Sequence, residues 1–204
     1  MTPFKTVTGI AAPMPAPNVD TDVIMPKQFL KRIDRQGLAI GAFHDIRFDE
    51  NGDKRPEFIL NQPPYDQAKF LVCGANFGCG SSREYAVWGL MQIGVRAIIA
   101  SSIAGIFFGN CEKNGLAAII LPEDEVQQLL AITGDARNSE LTIDLPSQTI
   151  LAANEQRFEF TMNASRKSLL IEGADHVAIT LESQSDIKQF EAQQAVSESW
   201  LWSH

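Results

Sequence analysis

Residues 69–121, KFLVCGANFGCGSSREYAVWGLMQIGVRAIIASSIAGIFFGNCEKNGLAAIIL, decide the fold that we expect for this chain. Short apolar runs of strand length alternate in this stretch with segments whose apolar residues recur near helical spacing. The five predicted elements are, in order, 70–72, 83–93, 96–100, 103–113 and 116–121. Strand, helix, strand, helix, strand predicts parallel strands whose faces are covered by helices, and therefore an α/β fold.

The segments on either side extend this prediction to one domain over residues 1–204. Residues 1–20 are rich in Pro and Ala and are expected to be an extended N-terminal segment. Residues 163–204 are expected to be a mostly helical C-terminal appendage, with 179–196 as the last helical stretch. The remaining predicted elements are a helix at 122–132, opened by a proline and an acidic first turn, and short strands at 141–145, 149–152 and 157–161.

Charge and composition exclude several classes of partner. Acidic residues outnumber basic residues by 25 to 17, which gives a formal net charge of −8. Because polyanions repel such a chain on average, we expect neither nucleic acid nor an anionic membrane as a partner. The N-terminus has no basic leader followed by an apolar core, and the longest uncharged stretch, 97–111, is too short to cross a bilayer. Three cysteines without a C-x-x-C pair favour a reducing compartment, so we expect a cytoplasmic protein.

The sequence GCGSSRE, residues 78–84, follows a predicted strand and precedes a predicted helix. Gly78 and Gly80 allow a sharp turn and a close approach of the backbone to a ligand. Ser81 and Glu84 have the spacing of a capping box, so one interpretation is a well-capped helix after a tight turn. The other is an anion site, because a helix N-terminus attracts negative charge and Arg83 matches a carboxylate. The residues alone leave both open.

Two common site classes do not fit this turn. A P-loop requires a Gly-Lys-Ser/Thr ending, which is missing. No G-x-S-x-G motif surrounds either serine, so a hydrolase triad is not favoured. Within the functional interpretation, a small carboxylate or phosphate remains the expected ligand.

Three motifs together resemble one family. GANFGCGSSRE, with NVDTDVIMPKQFLKR upstream and IFFGNCEKNGL downstream, is similar to the small subunits of 3-isopropylmalate dehydratase, which look like the detached swivel domain of aconitase. The resemblance covers nearly the whole chain. It implies a swivel domain with a mixed central sheet and flanking helices. It also implies a hydro-lyase that interconverts 2-isopropylmalate and 3-isopropylmalate in leucine biosynthesis when assembled with a large subunit.

The resemblance further implies how the chemistry is divided between two chains. A four-iron four-sulfur cluster is expected on the large subunit, where it acts as a Lewis acid on the departing hydroxyl. No cofactor or metal is expected on this chain. Its own three cysteines, Cys73, Cys79 and Cys111, lie 6 and 32 residues apart, which fits no compact iron–sulfur pattern.

By motif match, each site residue takes a role from the family. Ser81 corresponds to the catalytic base, which removes the carbon-bound proton as an alkoxide. Ser82 and Arg83 correspond to residues that bind the substrate carboxylate. Asp22 corresponds to an acid that pairs with an active-site histidine of the large subunit.

Residues 29–31 fall in the family's substrate-recognition loop. Lys31 is expected to hold a carboxylate, and Phe29 and Leu30 are expected to shape an apolar wall for an isopropyl group. The region contains four cations, Lys27, Lys31, Arg32 and Arg35. For any one of them, a basic face in solvent is the favoured interpretation from the residues alone.

Four positions depart from the family pattern and keep alternatives open. Tyr85 and Val87 stand where His and Pro are expected, and Gly105 and Gly109 stand where Asp and Asn are more usual. Tyr85 is predicted one helical turn after Ser81, where it can alter the surroundings of the base. One alternative is a dehydratase for a related 2-hydroxy acid, such as 2-methylmalate or dimethylmalate. The other is an anion-binding relative that has lost the reaction.

Overall fold

The computed structural model describes residues 1–31, 35–174 and 176–201, which divide into two compact units, Met1–Gly173 and Ala174–His204. The first unit is built on a seven-stranded mixed sheet with the strand order β4-β3-β2-β1-β5-β6-β7. The strands are β1 (Thr6–Met14), β2 (Phe70–Cys73), β3 (Ala97–Ala100), β4 (Ala117–Ile120), β5 (Glu140–Asp144), β6 (Thr149–Ala152) and β7 (Arg157–Glu159).

Strand β1 lies at the centre of this sheet and joins its two halves. Its second half pairs in parallel with β2, with Ala11 opposite Phe70, and its first half pairs antiparallel with β5, with Thr6 opposite Asp144. Part of the predicted extended segment 1–20 is thus the central strand. Strands β2 to β4 of the parallel half and β5 to β7 of the antiparallel half correspond to strands predicted from the sequence. The mixed sheet implied by the resemblance is confirmed.

Helices and short turns cover this sheet. The α-helices of the first unit are α1 (Thr21–Ile24), α2 (His44–Arg47), α3 (Glu84–Gln92), α4 (Gly105–Asn114), α5 (Glu123–Thr133) and α6 (Ala164–Glu172). Its 3-10 turns are Lys27–Lys31, Leu38–Ile40, Ile59–Asn61, Tyr65–Gln67 and Ala136–Asn138. Helix α4 ends as expected from Asn114-Gly115, because Gly115 adopts the left-handed conformation, with a φ of 81°.

Two apolar clusters lie on opposite faces of the sheet. Consecutive residues of β3 point to different clusters. Ile98 packs into the cluster with α3 and α4, and Ile99 packs into the cluster with α5 and α6. All four residues of β3 are buried, as expected for a parallel strand covered on both faces. This double covering explains why the strands read as continuous apolar runs in the sequence.

The second unit contains two helices, α7 (His176–Glu182) and α8 (Gln184–Ser197), and a final 3-10 turn, Ser199–Leu201. The predicted single helical stretch 179–196 is therefore divided at Ser183. The last five residues, 200–204, whose sequence WLWSH predicts a frayed tail, lie partly outside the described residues, which end at 201. Across the described part of the chain, no helix is long and apolar enough to span a bilayer.

Candidate active site

The candidate site is formed by two segments of the first unit that are distant in sequence. The serine loop, residues 74–83, connects β2 to α3, and the aspartate segment, residues 18–25, contains α1. Three backbone hydrogen bonds of 2.8 Å run along their contact. The amide of Asn18 donates to the carbonyl of Ala75, Gly78 donates to Val19, and Thr21 donates to Cys79.

Two asparagines close one end of this contact. The Asn76 side-chain amide donates to Oδ1 of Asn18 at 2.8 Å, and both residues have a φ of 57°. Asparagine tolerates this left-handed conformation better than most residues. The Asn76 backbone amide also donates to Oγ of Ser102 at 2.8 Å, which ties the loop to the segment before α4.

Thr21 joins the two segments near the proposed base. Its side chain is buried, with only 1% of the residue exposed, and its Oγ1 donates a hydrogen bond of 2.8 Å to the carbonyl oxygen of Ser81. Ser81 and Ser82 are themselves exposed. Thr21 therefore holds the Ser81 carbonyl from the inside, while Ser81 and Ser82 are exposed to solvent.

Arg83 forms an ion pair with Asp22 in the aspartate segment. The same Nη1 atom also donates to the carbonyl of Met25 at 3.3 Å. The Arg83 side chain is 15% exposed and the Asp22 side chain is 55% exposed, so the carboxylate is the accessible member of the pair. Asp22 thus has a partner within this chain, whereas the resemblance implied one on the large subunit.

The capping-box interpretation of Ser81 and Glu84 is wrong. Helix α3 begins at Glu84 with Arg83 as its N-cap residue, and no side chain caps it. The positive φ of Gly80, 89°, carries the chain through a turn that delays the helix beyond Ser81. The Glu84 carboxylate instead accepts a hydrogen bond of 2.7 Å from the side-chain amide of Asn114 on α4.

The three residues predicted to recognise the substrate, Phe29, Leu30 and Lys31, belong to the 3-10 turn Lys27–Lys31. Phe29 and Leu30 are half-buried against the core, and the Phe29 ring lies 4.8 Å from the His44 ring. Lys31 is exposed. The contacts described for these residues run to the core and to α2, and none of those described reaches the serine loop.

The cations of the predicted basic face differ in their surroundings. Lys27 and Lys31 are exposed, but the guanidinium of Arg35 lies 4.3 Å from the centre of the Trp88 ring on α3. Arg35 is thus engaged with an aromatic face. Arg32 lies outside the described residues.

The four departures from the family pattern occupy different environments. Val87 is in the core, and the Tyr85 ring lies 4.9 Å from the Trp88 ring. A Cβ atom added at Gly105 or at Gly109 would meet no atom within 4 Å. The two glycines of α4 therefore leave open space beside the helix.

Asn18, Thr21 and Asn76 connect the two segments of the candidate site, and sequence reasoning missed them. Their roles depend on hydrogen bonds across 58 to 60 residues of sequence. The one local signal was the Thr-Asp pair itself, in which Thr21 precedes the acid that the resemblance identified. Buried threonines are common, so the residue type alone did not mark it.

The three cysteines differ in accessibility. Burial raises the pKa of the Cys73 and Cys111 thiols well above the usual value. Cys79, in the serine loop, is half-buried and its Sγ lies 3.4 Å from the carbonyl of Asn18. Across the described residues, no three His, Cys, Asp or Glu side chains come together as a metal site.

We expect one thiol of the native chain to react with a thiol reagent at about pH 8, because only thiolates react and burial suppresses them at Cys73 and Cys111. Titration with a chromogenic disulfide should give one equivalent before denaturation and three after it. Cys79→Ala should remove the fast equivalent. Fast reaction of two or three thiols in the native chain would contradict this assignment.

Comparisons with known proteins agree with the fold and the motifs. Residues 1–124 match the aconitase C-terminal domain family. The chain is 47% identical over 201 residues to the 3-isopropylmalate dehydratase small subunit of Jannaschia sp., covering 98% of this chain and 100% of that protein. The corresponding subunit of Phenylobacterium zucineum is 46% identical over 203 residues, covering 98% of each. The crystal structure of 3-isopropylmalate dehydratase (leuD) from Methanocaldococcus jannaschii matches with a TM-score of 0.65 and 28% identity, covering 91% of this chain and 99% of that one.

Proposed function

This chain belongs to the family of 3-isopropylmalate dehydratase small subunits, and from that membership we propose that its serine loop supplies the base of the reaction. The chain is the small subunit of a hydro-lyase of leucine biosynthesis, and it works with a large subunit. The related 2-hydroxy-acid dehydratases and the non-catalytic relative are not favoured by these similarities. The residue roles below are our proposal.

The proposed reaction moves a hydroxyl group between neighbouring carbons. Loss of a carbon-bound proton and of hydroxide from 2-isopropylmalate gives isopropylmaleate and water. Addition of water to isopropylmaleate, with the hydroxyl and the hydrogen on exchanged carbons, gives 3-isopropylmalate. A base must therefore accept the proton from carbon and return it, while an acid assists the hydroxyl as it leaves.

The observation that carries the proposal is the position of Ser81. The residue is exposed, it lies on a loop held to the aspartate segment, and its carbonyl is fixed by Thr21. A serine hydroxyl is a poor base unless its anion is strongly stabilised. Backbone N–H groups of the loop and the guanidinium of Arg83 are the groups of this chain that can provide that stabilisation.

The ion pair between Asp22 and Arg83 limits this stabilisation in the isolated chain. A carboxylate beside the guanidinium cancels much of its field at nearby atoms. Because Asp22 is the more exposed partner, a cationic group of the large subunit can approach it from solvent. We propose that a histidine there engages Asp22 and frees Arg83 to act on the substrate carboxylate and on the Ser81 anion.

Substrate binding is proposed for residues of the serine loop and of the 3-10 turn Lys27–Lys31. Ser82 and Arg83 bind the substrate carboxylate next to the reacting carbons. The bond from Arg83 is strong because both of its partners are charged. Lys31 holds a second carboxylate, and Phe29 and Leu30 contact the isopropyl group. Because Phe29 and Leu30 are half-buried, each offers only part of its apolar surface for this contact.

The iron–sulfur cluster is proposed to reside on the large subunit. The described residues of this chain bring no suitable ligands together, and two of its three thiols are buried. When bound by its own subunit, the cluster supplies a Lewis acid for the departing hydroxyl. This chain contributes the base, the carboxylate contacts and the exposed Asp22 carboxylate.

Growth complementation tests the proposed substrate. Expression of this chain should restore growth without leucine to an auxotroph that lacks its small subunit, if the large subunit from the same organism is supplied as well. An iron-containing, oxygen-labile large subunit should co-purify with this chain. The isopropylmalate assignment would be overturned if the two subunits formed a soluble complex that did not restore growth but converted 2-methylmalate in vitro. The substrate would then be a related 2-hydroxy acid.

A further inference from the structure

We infer that the hydroxyl of Thr21 positions the base, by fixing the peptide that joins Ser81 to Ser82. This inference rests on the proposed role of Ser81. Thr21 touches neither substrate nor reacting atoms in this proposal, so it is a positioning residue. Its contact is the hydrogen bond of 2.8 Å from Oγ1 to the Ser81 carbonyl.

The geometry of a peptide plane explains how one hydrogen bond can orient two residues. The single cis bond among the described residues is Pro63-Pro64, so the bond between Ser81 and Ser82 is trans. In a trans peptide the C=O and N–H groups point in opposite directions. Because Thr21 is buried and holds the carbonyl, the N–H of Ser82 is directed away from the interior, toward the side on which the serines are exposed.

The peptide between Ser81 and Ser82 lies between two turns of the loop and the start of helix α3. Gly78 and Gly80 both have positive φ, 73° and 89°, so the loop changes direction twice before Ser81. Helix α3 does not begin until Glu84, so helical hydrogen bonding does not yet order the two serines. Among the described interactions of Ser81, the bond from Thr21 is the one that reaches it from the aspartate segment.

Thr21 itself is well placed to act as a fixed donor. Its backbone amide donates to Cys79 at 2.8 Å, and its carbonyl accepts from Met25 at 2.9 Å in α1. A β-branched side chain has few rotamers, so a backbone held at both ends also holds the hydroxyl. The Thr21 side chain therefore fixes the Ser81 carbonyl relative to helix α1.

The test compares Thr21→Val with Thr21→Ser in the dehydratase assembled with its large subunit. Thr21→Val keeps the branched shape but removes the donor, and we expect kcat to fall by about tenfold or more, because small misplacements of reacting groups are costly. KM for 3-isopropylmalate should change by less than about twofold. Thr21→Ser keeps the hydroxyl and should restore kcat to within about threefold of the original value.

Thr133 provides a matched control. It is also a fully buried threonine, and its Oγ1 donates to a backbone carbonyl, that of Leu129, at 2.7 Å. Thr133→Val removes the same kind of bond on α5, and kcat should stay within about twofold of the original. In a Ser81→Ala background, Thr21→Val should cause no further loss of the residual rate, because its effect passes through Ser81.

Amide hydrogen exchange gives a readout that does not depend on turnover. Exchange in peptides covering residues 75–83 should accelerate in Thr21→Val and remain unchanged in Thr21→Ser and Thr133→Val. Unchanged exchange in Thr21→Val overturns the inference. The inference is also overturned if Thr21→Val has an unchanged kcat while Ser81→Ala is inactive. In that case the proposed function still stands. Full activity of Ser81→Ala instead overturns the assignment of the base.

Discussion

Replacing Ser81 by Ala is expected to lower kcat of the assembled dehydratase by about 10³-fold or more, because the proton on carbon then has no acceptor. The substitution should leave the structure of the loop intact. Ser81 is exposed, and Thr21 binds its carbonyl rather than its hydroxyl, so the described contact at this position survives. Steady-state turnover of 3-isopropylmalate measures the effect on the reaction, and size-exclusion chromatography measures assembly with the large subunit.

Ser165→Ala is a suitable control for the Ser81 variant. Ser165 is exposed in the first turn of α6, in the same unit of the chain, and it has no proposed role in the site. We expect the control to retain full kcat and normal assembly. If Ser81→Ala assembled normally and kept more than about a tenth of the original kcat, a different group would have to be the base.

Replacing Gly78 by Ala should lower the free energy of unfolding by about 2–5 kcal/mol. A Cβ at this position would lie 2.3 Å from Cγ of Phe107, whose ring is buried and packs against Phe77 with ring centres 5.7 Å apart. Displacing a buried ring costs about 1–3 kcal/mol. The φ of 73° adds about 1–2 kcal/mol for a residue with a side chain. Urea unfolding of the isolated chain measures the sum.

Gly52→Ala separates these two costs. Gly52 has a similar φ, 86°, but a Cβ there would meet no atom within 4 Å. Its substitution should therefore cost only the conformational part, about 1–2 kcal/mol. Equal losses for the two variants would show that the contact between Gly78 and Phe107 does not constrain the serine loop.

Strands β2 to β4 of the parallel half were predictable because burial on both faces leaves a simple pattern, whereas β1, in the segment 1–20, was not predicted as a strand. The strands at 97–100 and 117–120 contain only apolar residues, so their sequence marks them without any knowledge of their partners. Helix α5 was equally clear, since a proline and three acidic residues precede its apolar positions. These elements are specified by local composition and periodicity.

The candidate site was predictable only through the motif. The turn at 78–84 indicated a ligand site or a capped helix, and local spacing favoured a capping box that does not form. What decides the outcome is the pairing of residues 18–25 with the serine loop, across about 60 positions of sequence. Such contacts depend on long-range pairing, because the parallel pairing of β1 with β2 places the segments that follow these strands side by side.

The hydrogen bonds between the aspartate segment and the serine loop bear on how the two subunits associate. When a loop becomes ordered only on binding, the loss of its conformational entropy weakens the affinity of the complex. Here that ordering accompanies folding of a single chain, since Asn18, Thr21 and Asn76 join the segments without a second subunit. If these segments form the proposed site, the large subunit meets them already ordered, and its binding energy remains for alignment of the reacting groups.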